Sequence, residues 1–378
     1  MTARGFERSE YEGRLARAQA LMDAAGLGAL LLTTEPEIRY FTGFLTRFWE
    51  SPSRPWFLIV PASGQPVAVI PSIGAALMAK TWISDIRTWP APRPEDDGIS
   101  LLAATLDEVA DGPVGIPSGP ETFLRMPQAD FARFQAKTAR SLRDDAGITA
   151  QLRAVKSDVE IAKIGHACEI AARAFARVPE IAAPGVPLSR VFRGFQALLL
   201  DEGADWVPYL AGGAGPLGYA DVISPADDTP LARGDVLMLD TGAVWDGYFC
   251  DYDRNFAIGA PDPRVSASHT RLIEAAQAGL EAARPGAMAC DVHRAMADIC
   301  GAGEGAGRLG HGLGMQLTEG LSLTAQDRTE LVPGMVITLE PGIDTADGCI
   351  LVHEENIVIR PGRAEILSPW ADALPVLD

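Results

Sequence analysis

Apolar residues fall at helical spacing near the start of the chain. Tyr11, Leu15, Ala18 and Met22 share one face, and Gly26 follows where a helix stop belongs. Short apolar runs of strand length come next: Ala29–Leu32, Trp56–Val60 and Pro66–Ile70, with a turn at Pro61-Ala-Ser-Gly64. This alternation predicts a mixed sheet with helices on its faces. The pattern resets between Arg140 and Lys156, which places a domain boundary near residue 150 and divides the chain into 1–150 and 151–378.

Ser157-Asp-Val-Glu160 reads as a capping box that opens a helix with Ile161, Ile164, Cys168, Ala171 and Phe175 on one face. A second helix is expected over Leu188–Glu202. A third runs over Ser266–Arg284, stopped by Pro285-Gly286, and a fourth over Asp291–Cys300. Between them lie two strand pairs. Asp235–Gly242 and Tyr248–Ile258 are joined through Val244-Trp-Asp-Gly247, and Gly334–Glu340 pairs with Cys349–Ile359. The order of elements, two helices and a hairpin, therefore repeats once.

Composition removes several function classes. The chain has 378 residues, 47% of them apolar, enough to bury a core and to exclude wholesale disorder. Its net charge of −18 disfavours nucleic acid or an anionic membrane as partner. Five cysteines without a C-x-x-C pair fit a reducing compartment. No apolar run reaches the roughly 18 residues that span a bilayer, and the first residues lack a secretory pattern. The expectation is a cytoplasmic protein.

Each hairpin sets acids among aliphatic neighbours: Val236-Leu-Met-Leu-Asp240, Phe249-Cys-Asp251, Val336-Ile-Thr-Leu-Glu340 and Leu351-Val-His-Glu354. Taken singly, each also reads as a turn residue at a strand end. Together they would bury four carboxylates, each costing several kcal/mol unless countered. A bound cation counters them most simply. His311, in Gly310-His-Gly-Leu-Gly314, adds an imidazole on a glycine-lined segment expected to leave it accessible. Four carboxylates and one imidazole suit two divalent ions such as manganese, cobalt, iron or zinc. That centre would carry out metal-assisted hydrolysis.

At these residues the sequence resembles the pita-bread metallohydrolases, the family of methionine aminopeptidase, prolidase, aminopeptidase P and creatinase. The stretch Glu37-Ile-Arg-Tyr-Phe-Thr-Gly-Phe44 is similar to a motif of the creatinase-type N-terminal domain. Spacings of 11 from Asp240 to Asp251, 29 from His311 to Glu340 and 14 from Glu340 to Glu354 match the prolidase branch. The resemblance implies an α+β fold: a pita-bread catalytic domain with a smaller α/β creatinase-type N-terminal domain. It implies that Asp240 chelates one ion, that His311 and Glu340 chelate the other, and that Asp251 and Glu354 bridge both. Glu340 would also act as the catalytic acid/base. His353 and Glu355, as strand neighbours of Glu354, should face the other way.

The chain also departs from the peptidase pattern. A peptidase histidine ahead of the first aspartate falls near Ile223, a second is Thr318, followed by the expected acid Glu319, and the arginine of aminopeptidase P members is Val352. An aromatic and basic stretch holding Arg47, Trp49 and Arg54 reads either as packing or as substrate binding, since in dimeric relatives this region reaches a neighbouring active site. Tyr209 is an aromatic open to the same two readings. The resulting expectation is a homodimeric metallohydrolase acting on a small amide or Xaa-Pro dipeptide. One alternative is a creatinase-, ectoine hydrolase- or dimethylsulfoniopropionate lyase-like enzyme on a small zwitterion. Another is a catalytically silent binding module.

Overall fold

A computed structural model describes residues 2–50, 55–301, 307–346 and 348–378. The chain forms two compact units, Ala3–Arg153 and Ala154–Asp378.

In the first unit, the Tyr11–Met22 stripe lies on α1 (Arg8–Ala25), and Gly26 adopts the left-handed conformation that ends it. The elements that follow are β1 (Ala29–Leu32), α2 (Glu35–Thr42), β2 (Phe57–Pro61), β3 (Val67–Pro71), α3 (Ala75–Met78) and β4 (Asp85–Trp89). After them come α4 (Ile99–Val109), β5 (Val114–Ile116), α5 (Gln128–Lys137), β6 (Leu142–Asp144) and α6 (Ile148–Ala154). The six strands make one mixed sheet in the order β4-β3-β2-β1-β5-β6. Leu31, Phe57, Ile59, Val69 and Trp89 pack on one face against Leu102 and Leu106 of α4 and Phe134 of α5.

The second unit opens with α7 (Asp158–Ala176). The Ser157 hydroxyl accepts from the Glu160 amide, and the Glu160 carboxylate accepts from the Ser157 amide. Then come α8 (Leu188–Asp201), β7 (Trp206–Gly215), β8 (Val236–Trp245), β9 (Tyr248–Phe249), β10 (Tyr252–Ile258), α9 (Pro263–Ala282) and α10 (Ala289–Cys300). The last strands are β11 (Val336–Leu339), β12 (Gly342–Ala346), β13 (Cys349–Val352), β14 (Glu355–Val358), β15 (Glu365–Ile366) and β16 (Val376–Leu377). β8 is flanked by β7 and β10 and also pairs with β9, and β16 extends that sheet.

Two features differ from the sequence reading. β7 is an additional ten-residue strand whose Gly212-Gly213 and Pro208 mask its alternation. Two of the expected hairpin strands are not continuous: Tyr248–Ile258 breaks at Cys250-Asp251 and Cys349–Ile359 at His353-Glu354. The expected connection after Glu340 contains a further strand, β12, so that β11 pairs β14 and β12 pairs β13. Among the described residues no helix is long and apolar enough to cross a membrane.

The capping box at Ser157 anchors a helix whose buried face includes Ile161, Ile164, Cys168, Ala171 and Phe175. Ser157→Ala is expected to cost about 1 kcal/mol, read as a lower urea midpoint for the transition that includes α7. An unchanged midpoint would show that the cap contributes nothing.

Candidate metal centre

Asp240 stands inside β8, opposite Ala211 of β7 and Asp253 of β10. The other three acids sit where strands break: Asp251 between β9 and β10, Glu340 between β11 and β12, Glu354 between β13 and β14. A backbone leaving its ladder needs new hydrogen-bond partners, and side chains supply them. The Asp251 amide donates to Asn356 Oδ1 at 3.0 Å, and the Asn356 amide group donates to the Asp251 carbonyl. The Glu354 amide donates to Asp253 Oδ1 at 2.7 Å. Asp253 follows Asp251 by two positions, and Asn356 follows Glu354 by two. Each hairpin thus clamps the break in the other.

His311 lies on a segment squeezed between residues 319–323 and β11. Leu309 and Gly312 donate to the carbonyls of Leu323 and Leu321, and Thr338 donates to the His311 carbonyl. Gly310, at φ +140°, is obligatory here, because a Cβ would lie 2.2 Å from the Thr338 carbonyl oxygen. This tight packing buries His311, contrary to the accessible imidazole expected from its glycines. Its Nδ1 lies 2.9 Å from the Gly312 carbonyl. A proton on Nδ1 is held there, which leaves Nε2 as the candidate ligand atom. Nε2 lies 3.2 Å from Asp251 Oδ2 and 3.0 Å from Glu340 Oε1.

The fold therefore gathers all five residues into two overlapping groups, Asp251–His311–Glu340 and Asp240–Asp251–Glu354. Within each group, ligand atoms lie within 4.8 Å of one another, and Asp251 belongs to both. Asp240 Oδ1 is buried without a hydrogen-bond partner. An orphaned carboxylate oxygen amid three other acids fits a cation and little else.

The protonation pattern agrees. Burial, then the charges of Asp251 and Asp253, pushes Asp240 well above the carboxylate range. Burial, then Asp240 and Glu340, does the same to Glu354. Burial lifts Asp251 to about 6 against the pull of its hydrogen bond with His311. For His311 burial opposes charge, yet the hydrogen bonds to Asp251 and Glu340 win and raise it to about 10. Glu340 is also opposed by burial but falls below its usual value through its contacts with His311 and Thr338.

The flanking residues His353 and Glu355 face away from this cluster. His353 Nε2 lies 3.2 Å from Glu355 Oε1, and Arg254 Nη2 pairs with Glu355 Oε2 at 3.1 Å. Thr318 accepts a long hydrogen bond from Arg308 Nη2 at 3.4 Å. Trp49 belongs to the first unit, where its ring packs beside Trp56 and under the Arg125 guanidinium. Arg47 is exposed in the same unit. Arg54 lies outside the described residues. Val352 ends β13, and Ile223 is 87% exposed.

Four further residues stand at the site, of which the sequence reading singled out only Tyr209, as an aromatic for either packing or substrate binding. The Tyr209 phenol on β7 feels the charge of Asp240, and burial followed by the charges of Asp240 and Glu354 holds it far above the usual tyrosine range. Thr338 accepts from the His311 amide at 2.9 Å and donates to Glu340 Oε1 at 2.5 Å, which ties both ligands together. Asp253 and Asn356 are the clamps. For the other three, only the D-x-D spacing of Asp251 and Asp253 gave a hint.

Two outcomes are expected. Asn356→Ala should weaken manganese binding about 10–100-fold, the usual cost of losing an outer-shell partner, measured by titration calorimetry. Unchanged affinity would remove the clamp from the account. The second concerns pH. Asp240, Asp251, Glu354 and His311 bind protons more tightly folded than unfolded, so their contribution to the cation-free protein falls as pH rises. For His311 that contribution is complete below 6.5 and lost as pH passes about 10. Cations displace these protons, so manganese should raise the thermal midpoint more at pH 8 than at pH 6. An equal gain at both would contradict this.

Residues 162–361 match the model of metallopeptidase family M24, and residues 14–155 match the creatinase/prolidase N-terminal domain. The chain is 31% identical over 349 residues to a probable dipeptidase PepE of Mycobacterium tuberculosis, covering 91% of this chain and 90% of that one. It is 31% identical over 226 residues to a Xaa-Pro dipeptidase of Pyrococcus horikoshii, 58% of this chain and 64% of the relative. The crystal structure of dipeptidase PepE from Mycobacterium ulcerans superposes with TM-score 0.84 at 28% identity, covering 98% and 99% of the two chains. The protein belongs to metallopeptidase family M24, a hydrolase with the creatinase-type N-terminal domain and pita-bread catalytic domain of the prolidase branch.

Proposed function

We propose that the protein is a dinuclear metal-dependent dipeptidase of the Xaa-Pro dipeptidase and aminopeptidase P type. The observation that carries this reading is the sharing of Asp251 between two largely buried groups of candidate ligands. Asp240 and Glu354 would hold one ion, His311 and Glu340 the other, with Asp251 between them. Relatives named dipeptidase and Xaa-Pro dipeptidase support a short peptide as substrate.

When bound, divalent ions such as manganese, cobalt, iron or zinc would polarise the scissile carbonyl and lower the pKa of water. The rest falls to the chain. Glu340 is the one of the four carboxylates held below its usual range, and it is oriented by Thr338 and His311. Glu340 would take a proton from the attacking water and return it to the leaving amine. Gly312 keeps the His311 proton on Nδ1, away from the ligand face. On the Asp240 face of β8, Leu317 packs over Gly242 between Tyr209 and Phe249, so that a Cβ at Gly242 would meet Leu317 Cδ1 at 2.4 Å. That apolar wall suits a small apolar residue or a proline ring.

A second reading keeps the ions and changes the substrate to a small zwitterion, as in creatinase-like enzymes. Its support is that Thr318, Val352 and the region of Ile223 stand where the family resemblance would lead one to expect a peptidase histidine or arginine. Turnover of Xaa-Pro dipeptides and of betaine-like compounds, each with manganese, separates the two. Cleavage of the dipeptides is expected, and turnover of betaine-like compounds alone would overturn the peptidase reading. Glu340→Gln should lower kcat about 10²- to 10⁴-fold on whichever substrate is turned over. A loss under tenfold would deny Glu340 its proton-transfer role.

A further inference from the structure

The sheet that carries the metal centre has a second side. Along β10, Asp253 serves the break at Glu354, while Tyr252, Arg254 and Phe256 occupy the alternate positions. These three help to line a cavity of about 370 Å³, completed by Phe175 of α7, His269 of α9, His353 and residues from the stretch 369–377. None of the five candidate metal ligands lines it. Its wall is mainly apolar.

Most polar groups in that wall are already engaged. The Tyr252 hydroxyl donates to the Cys168 carbonyl at 2.8 Å. Arg254 donates to the carbonyls of Asp253, Glu354 and Pro369, and Glu355 matches its charge at 3.1 Å. His353 Nε2 faces the same carboxylate at 3.2 Å. Asp372 is exposed, where solvent screens its charge. His269 is the exception. It is 4% exposed and makes no hydrogen bond or ion pair among the described residues, its ring lying 6.1 Å from that of His353. Burial, then the charges of His353 and Arg254, pushes it down to about 4, so the ring is neutral and offers one donor and one acceptor. A buried polar group without a partner is unfavourable, and one that faces a cavity is satisfied by what enters it.

We propose that this cavity is a second ligand site, distinct from the metal centre, for a neutral aromatic molecule of one or two fused rings whose hydroxyl or ring N–H hydrogen-bonds to His269. The surrounding rings decide the class. The centroid of Phe175 lies 5.3 Å from that of Tyr252 and 6.5 Å from that of Phe256, a wall on which a flat ring packs edge-on or offset. An anion meets a guanidinium already matched by Glu355, and a cation is repelled by the same guanidinium. The site does not depend on which substrate the metal centre takes. It shares a wall with that centre, because Arg254 Nη1 donates to the Glu354 carbonyl at 3.0 Å.

Titration calorimetry of the manganese-loaded protein with indole as the probe tests the site. Indole should bind, and N-methylindole, which lacks the N–H, should bind about two- to twelvefold more weakly, the scale of one neutral hydrogen bond. His269→Leu keeps an apolar side chain there and should bind the two probes alike. Ala172→Phe, whose side chain would fill the cavity, should abolish binding of both while leaving manganese affinity unchanged. Independently of any variant, a crystal soaked in bromoindole should show the anomalous peak of bromine between Phe175 and His269. Failure of indole to bind, a preference over N-methylindole that persists in His269→Leu, or a bromine peak only at the metal centre or elsewhere overturns the inference.

Discussion

Gathering four carboxylates in one place, Asp240 and Asp251 buried and Glu340 and Glu354 half-buried, is the constraint around which the second unit is built. Asp240, Asp251, Glu340 and Glu354 are surrounded by Val, Leu, Ile and Met of the strands that carry them, and Asp240 has an oxygen with no partner. Left uncompensated, these groups take up protons, as the upward displacement of Asp240, Asp251 and Glu354 shows. The protein therefore holds a site whose lowest free energy is reached only with a dense positive charge inside it. The single imidazole sits within 3.2 Å of two of the acids, so proton and cation compete for the same few atoms.

The backbone shows how such a site is held open. Three of the four acids occupy strand breaks, where a side chain can turn inward without obeying the alternation of a continuous ladder. Breaks expose amides, and the exchange of hydrogen bonds between Asp253 and Glu354 and between Asn356 and Asp251 satisfies them. The two halves of the unit use the same device at the same offset. This gives physical meaning to the repeated order of helices and hairpins, which is otherwise invisible residue by residue.

Much of the centre was legible in the chain because acids in aliphatic strands conflict with local pattern. The five candidate ligands, the capping box at Ser157 and the helices around the hairpins all follow from that pattern. What stayed hidden depends on partners distant in sequence. β7 lacks alternation because its glycines sit against β8 and the turn at Tyr219, with a Cβ at Gly212 only 2.1 Å from the Met238 carbonyl oxygen. The strand breaks look like continuous apolar runs until the cross-hairpin clamps are seen. Thr338 and Tyr209 look like ordinary strand residues until their hydroxyls are placed beside Glu340 and Asp240. His311 was expected to be accessible because glycines permit exposure as readily as close packing, and only residues 319–323 and β11 on either side of it decide between them.

The most direct test of the account is an anomalous difference map from crystals grown with manganese, recorded near its absorption edge. Two peaks should appear, one on each side of the Asp251 carboxylate, with His311 against one and Asp240 against the other. A map without peaks at these carboxylates, or with manganese bound only elsewhere on the chain, would contradict the claim that this acidic cluster exists to hold metal.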